Sequence, residues 1–318
     1  MVSSTPVLST PDRKKAIAGV AADAVGCKTG SVVRTTSGRK PASRRRIVLM
    51  LDGDKTATSA LVLILVLIIC AVFAPLLSPY HPDATNLNNR LDPPSLQHPF
   101  GTDDMGTDLF VRVMAGGRVS LAVGILAMIL AVSIGVVGGA ISAFWGGWVD
   151  SIVMRATDLM LSIPVFFIVL LVASLITPGV VTICLLIGIT QWMDVARVVR
   201  SVVLSAKQSP FAEAARALGV PGNRILFRHI LLHTSGPVLV AATIGVAHAM
   251  IMESALSFLG FGVQPPAASW GSMLRNAQSH LGPAPWTAIF PGLMIFLTVL
   301  CCHAVSDFLR SVLEPQSN

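Results

Sequence analysis

Between residues 159 and 193 the chain carries no Asp, Glu, Lys or Arg, and no other feature limits its possible folds as much. About 20 apolar residues in a helix cross a hydrocarbon core of about 30 Å. The run is too long for one crossing, and Thr177-Pro178-Gly179 divides it into two. Residues 58–77, 119–149, 238–256 and 286–305 have the same character, with Glu253 the one charge inside the third of these stretches. Gly236-Pro237 opens the fifth span, and Pro291 lies near the start of the sixth. Six apolar helices describe an all-α polytopic membrane protein. Composition agrees: 12% of the 318 residues are charged, against about 25% in a soluble domain, and mean hydropathy is +0.73. Gly135 and Gly139 give the second span a small-residue face suited to close helix packing.

The net charge of +7 sits mainly in the N-terminal tail, since 11 of the 23 Lys and Arg precede residue 56. No aromatic residues interleave a basic patch, so the charge does not point to nucleic acid. Rich in Ser, Thr, Lys and Arg and without apolar periodicity up to Arg46, the tail is expected to be disordered. Arg44-Arg45-Arg46 superficially resembles a twin-arginine export signal, but Asp52, Asp54 and Lys55 interrupt it, and Pro75 disfavours cleavage after the first apolar run. That run is expected to stay as an anchor. Four of the five cysteines lie in apolar runs and none has metal-ligand spacing, so they are read as reduced and structural.

Lys and Arg in short loops set orientation. A basic tail predicts an inside start, and six spans return the C-terminus inside. Residues 194–235 then face inward with Arg197, Arg200, Lys207, Arg216, Arg224 and Arg228, whereas the outer loop 262–285 has Arg275 alone. Charge and span count agree.

Within the inner loop, Ser209 is placed to cap a helix that starts at Pro210 and ends where Gly219 supplies a left-handed residue, with Pro221 barring continuation. Asn223 is placed to cap a second segment, 224–232, leading to the fifth span. So short a helix is marginal alone, and two settings would stabilise it. It lies on headgroups with Phe211 and Leu218 dipping in, or it is a docking knob in which Ala214 and Ala215 permit close approach and Glu213 and Arg216 supply orienting charge.

Other polar groups have competing readings. Glu253, with Ser257 and Phe258, either borders a water-filled pathway or sits near the outer interface at the end of a tilted span. His303 and Asp307, one turn apart, read as an i, i+4 pair. Asp103, Asp104 and Asp108 lack the alternation and terminal glutamate of a calcium loop, and Thr107 or Asp108 suits a helix cap instead. A membrane-embedded enzyme would need a nucleophile or metal set at membrane depth, and His303 with Cys301, two apart on a helix, do not face each other. A stand-alone secondary transporter commonly shows internal repeats, and none is evident.

The octamer "EAARALGV", Glu213 to Val220, resembles the EAA loop of binding-protein-dependent ABC importer permeases. Five further segments in consistent order resemble the C-type subunit of the dipeptide, oligopeptide and nickel branch: "HPFGTDDMGTDLF" (98–110), "RVSLAVG" (118–124), "SALSFLGFGVQPPAASWGSML" (254–274), "APWTAIFPGLMIFLTVL" (284–300) and "SDFLRSVLEP" (306–315). The resemblance implies a type I importer permease of six helices. It divides the chain into a cytoplasmic tail (1–56), a first span with its outer loop (57–117) and a core of five spans (118–318) containing the coupling loop 194–235. It implies that Glu213, Ala214, Ala215, Arg216, Ala217, Leu218 and Gly219 form a coupling helix seated in a cytoplasmic ATPase. The implied partners are a homologous B-type permease, two ABC ATPase subunits or one fused ATPase, an extracytoplasmic substrate-binding protein, and the lipid of a bacterial inner membrane with both termini cytoplasmic. The chain lacks a G-x-x-x-x-G-K-[ST] loop, so no cofactor is expected on it, and ATP and Mg belong to the partner ATPases. Peptides, or alternatively nickel chelates or glutathione, are the implied substrates. Two positions depart from the family pattern: Leu232-His233 stands where Leu-Pro is usual, which leaves the bend before the fifth span to Gly236-Pro237, and Thr107 stands where arginine is usual.

Overall fold

A computed structural model describes residues 55–73, 84–176 and 179–313. The N-terminal tail, Pro75, and Thr177 with Pro178 lie outside the described residues. Ten α-helices follow along these residues: α1 (Lys55–Val72), α2 (Leu109–Trp145), α3 (Gly147–Ser162), α4 (Val165–Leu175), α5 (Val180–Lys207), α6 (Pro210–Ala217), α7 (Gly222–Ile225), α8 (Leu231–Phe258), α9 (Trp270–Ala277) and α10 (Trp286–Leu313). Five of the segments are long and apolar enough to cross a membrane: α1, α2, α5, the run through α7 and α8, and α10. The pair α3–α4 makes six when counted as one broken span bent by 81°.

Pro164 breaks the third span, a position the sequence reading passed over. Its ring crowds the carbonyl four residues back and it has no N–H to donate, and Ile163 before it is extended at φ −102°, ψ 131°. Several boundaries also move. α2 begins at Leu109 and not near residue 119, because Asp108 caps it by accepting the Val111 N–H at 3.0 Å. α5 runs on to Lys207, so the loop expected over 194–235 begins there and not at Asp194. Arg197 and Arg200 lie on that helix and pair with Asp158 and Asp150 of α3.

Gly236-Pro237 does not open the fifth span, since Pro237 lies inside α8. The irregular turn comes earlier, as a π-helical segment, Leu226–Ile230, that joins α7 to α8. Asn223 is therefore inside α7, and Pro221 occupies the cap position. His303 and Asp307 form no ion pair among the described residues.

Helices α2 and α5 pack closely through glycine. A Cβ on Gly135 would stand 2.6 Å from Val195 Cβ, one on Gly139 3.0 Å from Val199 Cβ, and one on Gly188 2.9 Å from the Ala127 carbonyl. The backbones touch because no side chain separates them. At the N-terminal end of α2, Trp270 of α9 drives its indole inward and donates Nε1–H to the Val113 carbonyl at 2.8 Å. Arg118 of α2 donates to the Ala71 and Val72 carbonyls, giving a cation to the unsatisfied end of α1.

Candidate functional site: an exposed loop helix and a long cavity

Helix α6 is built by local chemistry and anchored at one face. Ser209 and Pro210 start it as the sequence suggests, but Ser209 Oγ bonds the Ala206 carbonyl at 2.5 Å and not a free amide of α6. At the other end Gly219 adopts φ +76°, its N–H donates to the Arg216 carbonyl at 2.9 Å, and the Val220 N–H donates to the Ala215 carbonyl at 3.1 Å. These two bonds are a Schellman closure, which needs a left-handed residue at this place. Ala212 is fully buried, and Arg216 Nη2 donates to the Lys207 carbonyl at 3.0 Å. Lys207 in turn donates Nζ–H to the Phe144 carbonyl at 2.8 Å, which joins the ends of α2 and α5 beneath α6.

The remaining face is open. Glu213, Ala214, Arg216, Ala217, Leu218 and Gly219 are exposed and Ala215 is half-buried. Leu218, 83% exposed, is far more open than a leucine that has found its packing partner. The helix thus holds small residues, one acid, one base and one free leucine on a face fixed to the C-terminal ends of α2 and α5.

Glu253, read from the sequence as a pathway-bordering or an interfacial group, is wholly buried. Its Oε1 accepts from Ser257 Oγ at 2.7 Å, and its Oε2 accepts from Ser120 Oγ at 3.1 Å and Ser254 Oγ at 3.4 Å. Ser120 Oγ also accepts the Trp270 N–H at 3.2 Å, so the carboxylate ties α2, α8 and α9 together. Ser257 is buried with it, and Phe258, half-exposed at the end of α8, stands apart. None of the three lies on the cavity described next. Five residues before the end of α8, the buried carboxylate with its three hydroxyl donors is a structural tie.

The acidic segment before α2 is also a folding device. Asp108 Oδ2 takes His98 Nδ1 at 2.7 Å while Oδ1 caps α2. Asp103 Oδ1 accepts the N–H groups of Met105 at 2.9 Å and Thr107 at 2.8 Å, and its Oδ2 pairs with Arg112. Thr107 Oγ1 is buried with no partner among the described residues.

A cavity of about 790 Å³ opens between α5, α8, α4 and α10. On α8 its wall runs from Pro237 to Ala255, about 27 Å at 1.5 Å per residue, so it reaches through most of the hydrocarbon thickness. Met128, Phe166, Ile244 and Met252 make much of the surface apolar, and Gln191, Asp194, His248 and Arg310 are polar exceptions. Asp194 and Gln191 were missed as site residues because the positive charges that follow them suggested a loop. The usable signal was the lack of Gly or Pro between Met193 and Lys207, which lets one helix continue.

A family model described as "Binding-protein-dependent transport system inner membrane component" matches residues 135–317, and one described as "N-terminal TM domain of oligopeptide transport permease C" matches residues 47–94. The chain is 39% identical to the oligopeptide transport system permease protein OppC of Bacillus subtilis (strain 168), over 85% of this chain and 88% of that one. It is 38% identical to the dipeptide transport system permease protein DppC of Alkalihalophilus pseudofirmus, over 84% and 88%. It is also 38% identical to the glutathione transport system permease protein GsiD of an Escherichia coli strain, over 82% and 86%.

Proposed function

Because the chain belongs to the family of binding-protein-dependent transport inner membrane components, we propose that it is the C-type permease subunit of an ATP-driven importer of short peptides. The observation that carries the peptide reading is similarity across nearly the whole chain to relatives named for oligopeptide and dipeptide transport. In this reading the cavity is half of the translocation pathway, and a homologous B-type permease supplies the other half. Two ABC ATPase subunits, or one fused ATPase, bind ATP and Mg below the membrane, and a substrate-binding protein delivers cargo from outside. Both termini are cytoplasmic and the membrane is the bacterial inner membrane.

Force reaches the pathway through α6. Glu213, Ala214, Ala215, Arg216, Ala217, Leu218 and Gly219 seat in the ATPase, where Ala214 and Ala217 allow close approach and Leu218 fills an apolar socket. When the ATPases close on ATP, α6 moves with them. Arg216 anchors it to the end of α5 and Lys207 ties that end to α2, which carries the motion into the α2–α5 pair, whose glycine contacts make it move as one body. Opening and closing of the cavity then follow from rigid-body rotation against the partner permease.

The test is reconstitution of the whole complex in proteoliposomes with its cognate binding protein. ATP-dependent uptake of labelled di- and tripeptides, with the ATPases co-purifying on a tag carried by this chain, is the expected result. A binding protein that takes metal chelates and no peptide overturns the peptide assignment. The glutathione relative favours one second reading, which glutathione uptake in the same assay decides.

A further inference from the structure

Asp194 is the acid that the cavity leaves unassigned. It lies near the middle of the 28-residue helix α5, lines the cavity and is exposed to it. It has neither an ion-pair partner nor a side-chain hydrogen bond among the described residues. The two arginines that follow it are engaged elsewhere, Arg197 with Asp158 at 2.5 Å and Arg200 with Asp150 at 2.6 Å. Arg310, the cation on the same cavity, sits in the last turn of α10, where its long arm reaches toward the aqueous interface. Asp194, directly after the charge-free run of α5, has a short side chain that stays at the cavity wall. Ionisable groups at membrane depth are costly and face water-filled cavities or partners. Gln191, one turn before, and His248 across the cavity offer hydrogen bonds beside it, again with no side-chain partner among the described residues.

The geometry points to Asp194 as the residue that selects for positively charged substrates, holding an ammonium group of the passing peptide while Gln191 and His248 bond its backbone. This rests on the reading of the cavity as a peptide pathway. Charge complementarity names the occupant: an unpaired carboxylate in a largely apolar wall favours an organic cation and disfavours an anion. The volume fits a small molecule, within the roughly 300–1,000 Å³ of ligand sites.

The experiment uses the intact complex in proteoliposomes with saturating, loaded binding protein, and reads the uptake ratio of Ala-Lys-Ala to Ala-Glu-Ala. The binding protein is the same in every arm, so a change in ratio reports this chain. Asp194→Asn should lower the ratio about tenfold, Asp194→Glu should keep it within about twofold of wild type, and Asp194→Lys should reverse it. ATP hydrolysis stimulated by loaded binding protein should persist in all three, which separates substrate contact from coupling. An unchanged ratio in Asp194→Asn overturns the assignment. So does loss of the partner permease on purification of Asp194→Asn, which would make Asp194 a subunit contact. A wild-type complex that moves neither peptide despite ATP hydrolysis fails the peptide reading itself and removes this inference with it.

Discussion

Gly219 concentrates the chemistry of the loop in one torsion angle. At φ +76° a β-branched residue is strained by about 1–2 kcal/mol, yet a Cβ there would meet nothing within 4 Å. The cost of Gly219→Val is therefore conformational and not steric. The variant should reach the membrane at wild-type levels but lose most uptake and most ATPase association, while Gly219→Asn, which tolerates the left-handed region, should keep far more of both. Glu213→Lys tests the same face by charge and should also weaken ATPase association, read by co-purification. Normal coupling in Gly219→Val and Glu213→Lys together would return α6 to the lipid surface. Glu253 makes the opposite kind of prediction, about stability. Removing its carboxylate leaves the hydroxyls of Ser120 and Ser257 buried with a partner lost, at about 1–3 kcal/mol each. Glu253→Ala should lower the melting temperature of the detergent-solubilised protein clearly more than Glu253→Gln, which retains an acceptor oxygen. Equal melting of the two would remove the tie from the account.

At the scale of elements, the α2–α5 pair depends on absent side chains. Gly135→Leu forces a branched chain into the space of Val195 and the Trp192 carbonyl, and overpacking of that kind typically costs about 1–3 kcal/mol. Gly292 of α10 is a matched comparison, since its nearest neighbour, Leu274, would be 3.8 Å from an added Cβ. Gly135→Leu should lower thermal stability and Gly292→Ala should leave it level or raised, as alanine is the better helix former. Similar melting of both variants would mean that α2 and α5 can separate without loss. The two interfaces differ in kind: α2 with α5 is close backbone packing, whereas α9 is held to α2 by an indole hydrogen bond and a serine.

For the whole molecule, the charge of the loops predicts orientation. A single cysteine at Arg275 in an otherwise cysteine-free background should react with an impermeant thiol reagent added outside intact cells, and one at Glu213 only after the membrane is opened. The reverse pattern would invert the topology. Residues 2–40, which lie outside the described residues, have little apolar content, so their deletion should leave the complex intact provided Arg44 to Arg46 remain as the inward signal. Loss of partner subunits from that deletion would show that the tail docks one of them.

Helical class, six apolar segments, the cap at Asp108 or its neighbour and the left-handed stop at Gly219 were legible in the sequence because each has a local cause. Lipid satisfies no backbone group, so a long uncharged run must be helical, and a turn needs its own φ whatever lies around it. Pro164 was equally local and was missed under the length of the run that contains it. Other features belong to the tertiary structure alone. Whether Glu253 faced a pathway depended on Ser120, far away in sequence, arriving beside it on α2. Whether Asp194 belonged to a loop or to a cavity depended on α5 continuing past it and on α3 supplying acids to the two arginines beyond. Periodicity and composition say that such groups sit on helices. Only the packing of one helix against another decides which of them find partners and which remain open.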